Sequence, residues 1–347
     1  MIDKKRVKKI LIIKLRGIGD VLLSTVIVKN LLDEFPDAKI DYLTEKPGKL
    51  ALSSINEINE ILLLERKSAL QKIKLIMEIR KRDYDLIFDF FSNPTTALIT
   101  FFSRAKYRVG FPYRGRKYAY NLFGPEERGK YHSADLHLET LKAVGIEVTS
   151  NDQLFSFSNE EKMFADEFFA ENDLRGKAVV GICPSGGWDS KKCTPNKFAE
   201  FARAIHNKYN VELLILWGPG DLKDATEIKR RLPETSIFMP ATSIKQMASV
   251  ISHCTVLIAN DSGPMHISAT VGTPTIALFG PTDPKLQGPY GNKHEIVRLD
   301  ALDCINCNLT ECPKNKECFT NIAPEMVLGK FDNIILKNKL NIAVRNG

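Results

Sequence analysis

Twice along its 347 residues the chain repeats one alternation: a short apolar run, a loop marked by glycine or proline, then a longer segment with apolar residues every three to four positions. In the first half the apolar runs fall at 8–14, 40–43, 58–64, 86–90 and 107–111, and the helical patterns at 21–33, 69–82, 95–103 and 133–144. A polar amphipathic segment, 159–172, leads to a second series, with runs at 178–183, 212–217, 255–259 and 275–279. Helical patterns at 196–206, 222–232, 244–251 and 264–271 separate them. Runs this short and apolar suit strands buried on both faces, and the helices between them supply the crossovers a parallel sheet needs. The expectation is an α/β chain of two doubly wound domains, each with helices on both faces of its sheet. Ligands bind such sheets beyond the carboxyl ends of the strands, so the chemistry is expected between the halves.

Composition narrows the class. With 44% apolar and 26% charged residues the chain reads as globular. No apolar run approaches the roughly 20 residues that cross a bilayer. The first residues, MIDKKRVKKILIIKLRG, are basic but lack a small-residue cleavage site, so their apolar part reads as a first strand and the protein as cytoplasmic. Seven cysteines in this length do not describe a secreted disulfide scaffold. Charge is uneven. Residues 1–150 hold 27 Lys+Arg against 19 Asp+Glu, a net of +8, while the remainder holds 22 against 23, a net of −1. The first half therefore faces something acidic or carries a solvated lysine-rich surface.

The stretch IIKLRGIGDVLLSTVIVKNLL, residues 12–32, has a dinucleotide-binding start that fails. After Gly17 and Gly19 the third glycine of G-x-G-x-x-G would stand at position 22, which is Leu22. Asp20 at the helix mouth would also repel a cofactor phosphate, which argues against a dinucleotide-dependent oxidoreductase. Its plain role is to cap the helix or offset the macrodipole.

Three second-half loops follow strand ends. Asn260-Asp261-Ser262-Gly263 precedes Pro264, so the N–H groups of Ser262, Gly263 and Met265 can face an anion, or Asp261 and Ser262 simply cap. Ser185-Gly186-Gly187 with Lys191 and Lys192 makes a second phosphate cradle. Trp217-Gly218-Pro219-Gly220-Asp221 offers a flat surface for a base and a carboxylate for ribose hydroxyls. Together they favour a nucleotide diphosphate.

Two segments carry more open readings. SRAKYRVGFPYRGRKY, residues 103–118, has six cations and no acid. The cysteines Cys304, Cys307, Cys312 and Cys318 stand at C-x2-C-x4-C-x5-C, which could bind a structural zinc or hold reduced thiols that stabilise a loop. Asp83 and Asp85 form a D-x-D at a helix-to-strand junction, where turn and capping roles are expected.

The stretches IIKLRGIGDVLLSTVIVKNL, CPSGGWDSKKCTPNKFAEF and NDSGPMHISATVGTPTIALFGPTDP together resemble glycosyltransferase family nine, the ADP-heptose:lipopolysaccharide heptosyltransferases. The chain departs from the family in lacking an aromatic residue before Pro195. The resemblance implies a GT-B fold whose two Rossmann-like domains face a central cleft. Its parts would be an acceptor domain at 1–157, a linker helix at 158–175, a nucleotide-sugar domain at 176–323, and a last helix at 324–347 returning to the first domain. It implies an inverting, metal-independent transfer from an ADP-sugar with no cofactor, Asp20 being the general base and Lys192 steadying the departing ADP. The implied donor site is Ser185, Gly186, Lys192, Trp217, Gly218, Asp221, Asp261, Ser262, Gly263 and His266. The implied acceptor site is Gly17, Gly19, Arg104, Arg108, Arg114 and Arg116. Implied partners are ADP-heptose, a lipid A–inner core acceptor and the anionic surface of the inner membrane, and no nucleic acid. A non-catalytic nucleotide-sugar-binding protein is the rival reading.

Overall fold

The apolar runs fold as two six-stranded sheets whose ladders are all parallel. The structure is a computed structural model that describes residues 2–65 and 68–345. It divides into two units, Met1–Ser156 and Phe157–Gly347.

The first unit holds β1 (Lys9–Ile13), β2 (Lys39–Thr44), β3 (Glu60–Leu63), β4 (Leu86–Asp89), β5 (Tyr107–Gly110) and β6 (Leu122–Phe123), in the order β3-β2-β1-β4-β5-β6. The second holds β7 (Val179–Cys183), β8 (Glu212–Ile215), β9 (Ile237–Phe238), β10 (Val256–Asn260), β11 (Thr275–Leu278) and β12 (Glu295–Val297), in the order β12-β11-β10-β7-β8-β9. Counted from its own first strand, each unit therefore has the same doubly wound order. The order reverses beside β1 and β4 in one unit and beside β7 and β10 in the other. These are the switch points outside which a doubly wound sheet opens a crevice.

Burial explains the strands. Ile10 to Ile13 of β1 and Val256 to Ile258 of β10 are fully buried, as central parallel strands covered on both faces must be. In the first unit the helices Ala69–Arg82 and Pro94–Ser103 lie together on one face, sending Leu75, Ile79 and Ile99 into a cluster with Leu11, Ile13 and Ile87. In the second, Phe198, Phe201, Ile228 and Phe331 pack over Val180, Ile182 and Ile258.

Two further helices pack within the second unit. The Asn159–Glu171 helix, started by a capping box between Ser158 and Glu161, packs on the Ile244–His253 helix as a member of the second unit. Phe169 lies 5.2 Å from the His253 ring, and Asp166 is 3.1 Å from His253 Nε2. The last helix, Pro324–Asn338, falls within the second unit. It packs on the Pro195–Lys208 helix and on β12. The cause is its apolar stripe of Val327, Phe331 and Ile334, buried in the second core, with Lys208 reaching Asp332 at 2.8 Å and Lys330 reaching Glu295 at 3.0 Å.

Candidate active site

At the switch point of the second sheet, the loop after β7 brings Ser185 and Lys192 onto Asp221, which follows β8. Ser185 Oγ donates to one carboxylate oxygen of Asp221 at 2.7 Å, and Lys192 Nζ to the other at 2.7 Å. Asp224 stands 3.6 Å from the same ammonium. Burial pulls the Lys192 pKa down, but Asp221 and Asp224 outweigh it and hold the side chain above its ordinary value, firmly cationic. Gly186 leaves room for this pairing, since a Cβ there would meet Lys192 Cγ at 2.5 Å.

Asn260, at the end of β10, ties these loops together. Fully buried, its amide donates to Pro184 O at 2.8 Å and to Ser185 O at 3.3 Å, while its oxygen accepts the Cys193 N–H at 3.1 Å. The next residue points elsewhere. Asp261 is buried with Lys191 Nζ at 2.5 Å and accepts Thr282 Oγ1 at 2.6 Å. These two contacts fix its carboxylate and brace the loop. Ser262 then begins the Gly263–Thr270 helix without capping it: its hydroxyl donates to Asn260 O at 3.2 Å instead of accepting a first-turn N–H. Pro264 lacks an N–H, so the mouth presents those of Gly263 and Met265 with no side-chain cap, the arrangement that suits an anion. His266 is buried one turn in. Trp217 stacks on Phe238 at 6.1 Å and donates its indole N–H to Met239 O at 2.7 Å, so packing already uses one ring face and its polar edge.

The first unit places a different chemistry at its own switch point. Asp20 lies in the first turn of the Ile18–Ser24 helix, its side chain 36% exposed, with Lys14 Nζ at 3.2 Å. Lys14 is buried at the end of β1; desolvation lowers its pKa, and the Asp20 carboxylate works against that. Gly17 is the N-cap of the helix, where a Cβ would meet nothing within 4 Å, and Gly19 is buried. The left-handed residue of the turn is Arg16, at φ 76°, with its guanidinium 5.3 Å from the Phe91 ring.

The arginines expected at the acceptor site separate. Arg108 donates to Ala119 O at 3.0 Å and Ala105 O at 2.6 Å, and burial lowers its pKa, so it pins a turn. Arg104 caps the Pro94–Ser103 helix just before β5, at the edge of the sheet opposite the crevice. Arg114 is exposed after β5, and Arg116 stacks 4.8 Å from the Tyr113 ring. Of the four cysteines, Cys318 has its pKa pushed up to about 11 by burial, with Cys312, Cys304 and Cys307 near enough to add to the shift. Among the described residues no group of three or more Cys, His, Asp or Glu side chains is placed to hold a metal ion. Cys307 is exposed, whereas Cys318 packs where a Cβ on Gly280 would meet its Sγ at 2.5 Å. Cys312 Sγ accepts the backbone N–H groups of Lys314 and Lys316 at 3.4 and 3.3 Å. Their segment straps the site loops instead: Thr310 O accepts the Ser190 N–H at 3.1 Å, and Lys316 pairs with Asp189 at 2.7 Å.

The family model described as glycosyltransferase family 9 (heptosyltransferase) matches residues 72–318. The chain belongs to that family. It is a glycosyltransferase, and the oxidoreductase and non-catalytic readings give way to it. It is 23% identical to the lipopolysaccharide core heptosyltransferase OpsX of Haemophilus influenzae, over 94% of this chain and 97% of the relative. A family 9 glycosyl transferase structure from Veillonella parvula matches with a TM-score of 0.84 at 22% identity, covering 97% of this chain and 98% of that one. The E. coli heptosyltransferase WaaC, solved with ADP-2-deoxy-2-fluoro heptose, matches with a TM-score of 0.70 at 16% identity, covering 94% and 99%. The fold is thus GT-B, built of two Rossmann-like units.

Sequence reasoning about this family 9 chain overlooked residues that only the fold brings into play. Asp89, beside Ile13 in the β1–β4 register, is buried, and that burial raises its pKa while Ser92 N–H at 2.7 Å and Tyr120 OH at 2.7 Å bind its oxygens. Arg128 lies 4.4 Å from the Phe111 ring and close enough to depress the Lys14 pKa, adding a cation to the Asp20 neighbourhood. Apolar neighbours hid Lys14 in the sequence, where it read as the end of a strand.

Proposed function

We propose that this enzyme moves heptose from ADP-L-glycero-D-manno-heptose to an inner-core lipopolysaccharide acceptor, with inversion at the anomeric carbon. The acceptor oxygen forms its bond to that carbon as the bond to the diphosphate oxygen breaks. The acceptor proton passes to the Asp20 carboxylate, and the electron pair of the broken bond leaves with ADP. Lys192 and the N–H groups at the Ser262-Gly263 helix mouth take up the charge that builds on the diphosphate, so no metal is needed for that step. Asp221, already beside Lys192, is the acceptor for the ribose hydroxyls. Arg114, Arg116 and Arg128 supply cations for the phosphates and acidic sugars of a lipid A–inner core acceptor. The enzyme works from the cytoplasmic side, against the anionic surface of the inner membrane.

The observation that carries this reading is the division of charge between two identical topologies. One switch point holds a cation beside an uncapped helix mouth, and the other holds a partly open carboxylate. Support also comes from the WaaC structure solved with a fluorinated ADP-heptose and from the lipopolysaccharide core named for the Haemophilus relative. The test is ADP release from ADP-heptose against a panel of inner-core acceptors, with and without EDTA. Acceptor-dependent release that survives EDTA is expected. Release that needs a divalent cation, or that ignores the acceptor, overturns the reading.

A further inference from the structure

The solvent side of the helix pair Ala69–Arg82 and Pro94–Ser103 carries apolar surface that the core does not use. The first helix already has its core face, with Leu75 and Ile79 buried. At the helical repeat of 100° per residue, Leu70, Ile73 and Met77 fall together on roughly the opposite side. They are 71%, 53% and 65% exposed. Alongside, the second helix turns Leu98, Phe101 and Phe102 outward. Phe101 meets Phe102 and the exposed Tyr118 edge-on, with ring centroids 5.3 and 5.4 Å apart. Because the two helices pack on each other, the stripes share one face.

That face also carries more cations than acids, its exposed acids being Glu78 and the C-cap Asp83. Lys74, Arg80, Lys81, Arg104, Lys106 and Lys117 are exposed on these helices and the turns beyond them. Glu78, the acid of the first helix, is taken by Arg82 at 2.7 Å, and the second helix has none. Apolar chains interleaved with cations match a bilayer interface, where rings and aliphatic groups enter the acyl boundary and ammonium and guanidinium groups stay among anionic headgroups. A second copy of the chain would bring these cations against their own kind.

The geometry points to this face as the docking surface for an anionic lipid bilayer. It gives a place to the membrane partner of the proposed function, and it rests on that reading only for its purpose, because binding is measured without turnover. Arg104, which stands away from the crevice, acquires a role here. The crevice residues lie at the carboxyl edge of the sheet, whereas the docking helices lie along its face.

The test is co-sedimentation of the full chain with vesicles of equimolar phosphatidylethanolamine and phosphatidylglycerol, compared with vesicles of phosphatidylcholine alone. Binding to the anionic vesicles is expected to be at least about tenfold stronger and to weaken as salt is added. The exposed-site variants F101S/F102S and I73S/M77S are each expected to lower binding about tenfold, with melting temperature and ADP affinity unchanged. Equal binding to both vesicle types, or undiminished binding by both variants, overturns the proposal. So does a concentration-dependent dimer in ultracentrifugation that the variants abolish while vesicles bind nothing. Vesicle binding without ADP release from ADP-heptose upholds the docking face and overturns the proposed heptose donor alone.

Discussion

Replacing Asp20 by asparagine keeps the shape of the side chain and removes both its charge and its capacity to take a proton. Two consequences separate cleanly. If Asp20 is the base, kcat falls by about 10²–10⁴-fold, the span that positioned general bases contribute. That equals roughly 3–5 kcal/mol of transition-state stabilisation. ADP affinity stays unchanged, because the donor residues lie in the other unit. The second consequence is for stability. At 3.2 Å from Lys14 Nζ, Coulomb's law gives about 5 kcal/mol at an effective dielectric of ~20. Asp20 is more than a third open to water, so screening leaves about 1 kcal/mol of that. Its sign with pH follows from Lys14, whose folded pKa already lies below its ordinary value through burial. A lysine depressed in the fold destabilises it at pH below the folded pKa, and the penalty fades as pH rises toward the unfolded value. Losing Asp20 depresses Lys14 further, so the stability gap between wild type and variant is widest near neutral pH and closes in alkali. The assays are ADP release with saturating acceptor, calorimetric ADP binding, and urea unfolding across pH. A variant with wild-type kcat refutes the base assignment. A gap that widens with rising pH refutes the ion-pair account.

Lys192→Ala is expected to cut kcat/KM for ADP-sugar by about 10²–10³-fold, the usual cost of losing one charged contact to a leaving group; steady-state ADP release checks it. Gly186→Ala forces the Lys192 stem aside, since the new Cβ would stand 2.5 Å from its Cγ; turnover should drop about tenfold or more while the melting temperature holds. His294 gives a pH signature. Burial, aided by Lys337 and Lys293, lowers its pKa to about 4. Its contribution is therefore intact above the unfolded value near 6.5 and is lost as pH falls toward 4, by about 3 kcal/mol. His294→Gln should flatten that acid limb in chemical denaturation.

The doubly wound plan was legible because buried parallel strands announce themselves as apolar runs, and crossover helices as a three-to-four-residue rhythm. The short strands β6, β9 and β12 were not, since two or three residues at a sheet edge leave no period to read. Loops that follow strand ends were legible from their local residues, as in Ser185-Gly186 with Lys192 or Ser262-Gly263-Pro264. Partnerships were not. Residue chemistry alone does not separate Lys191 from Lys192, which only the family resemblance told apart, yet one is buried on Asp261 and the other meets Asp221 at the crevice. A short 3-10 turn, Asp189–Lys191, makes that choice by turning one lysine inward. Arg108 shows the same limit. One of six cations in the sequence, it gives two of its N–H groups to backbone carbonyls once β5 has placed it.

On the proposed reading, the resting pair of Lys192 and Asp221 is how a phosphate site waits in water, and what an arriving nucleotide meets there follows from that proposal. A cation left alone in a half-buried loop would suffer desolvation with nothing to offset it, and its pKa would fall. Holding it against Asp221, itself tied to Ser185, keeps the ammonium charged and its position fixed. A diphosphate then meets an ordered donor, not a flexible chain that must be immobilised on binding. The cost is competition, because the arriving phosphate must share the ammonium with a carboxylate. That cost is smaller when the same carboxylate gains ribose hydroxyls as the nucleotide settles, exchanging one partner for another. The two lobes answer opposite requirements with one device, an acid–base ion pair at a switch point. In one, an acid steadies the cation proposed for the leaving group; in the other, the cation Lys14 steadies the acid proposed as base.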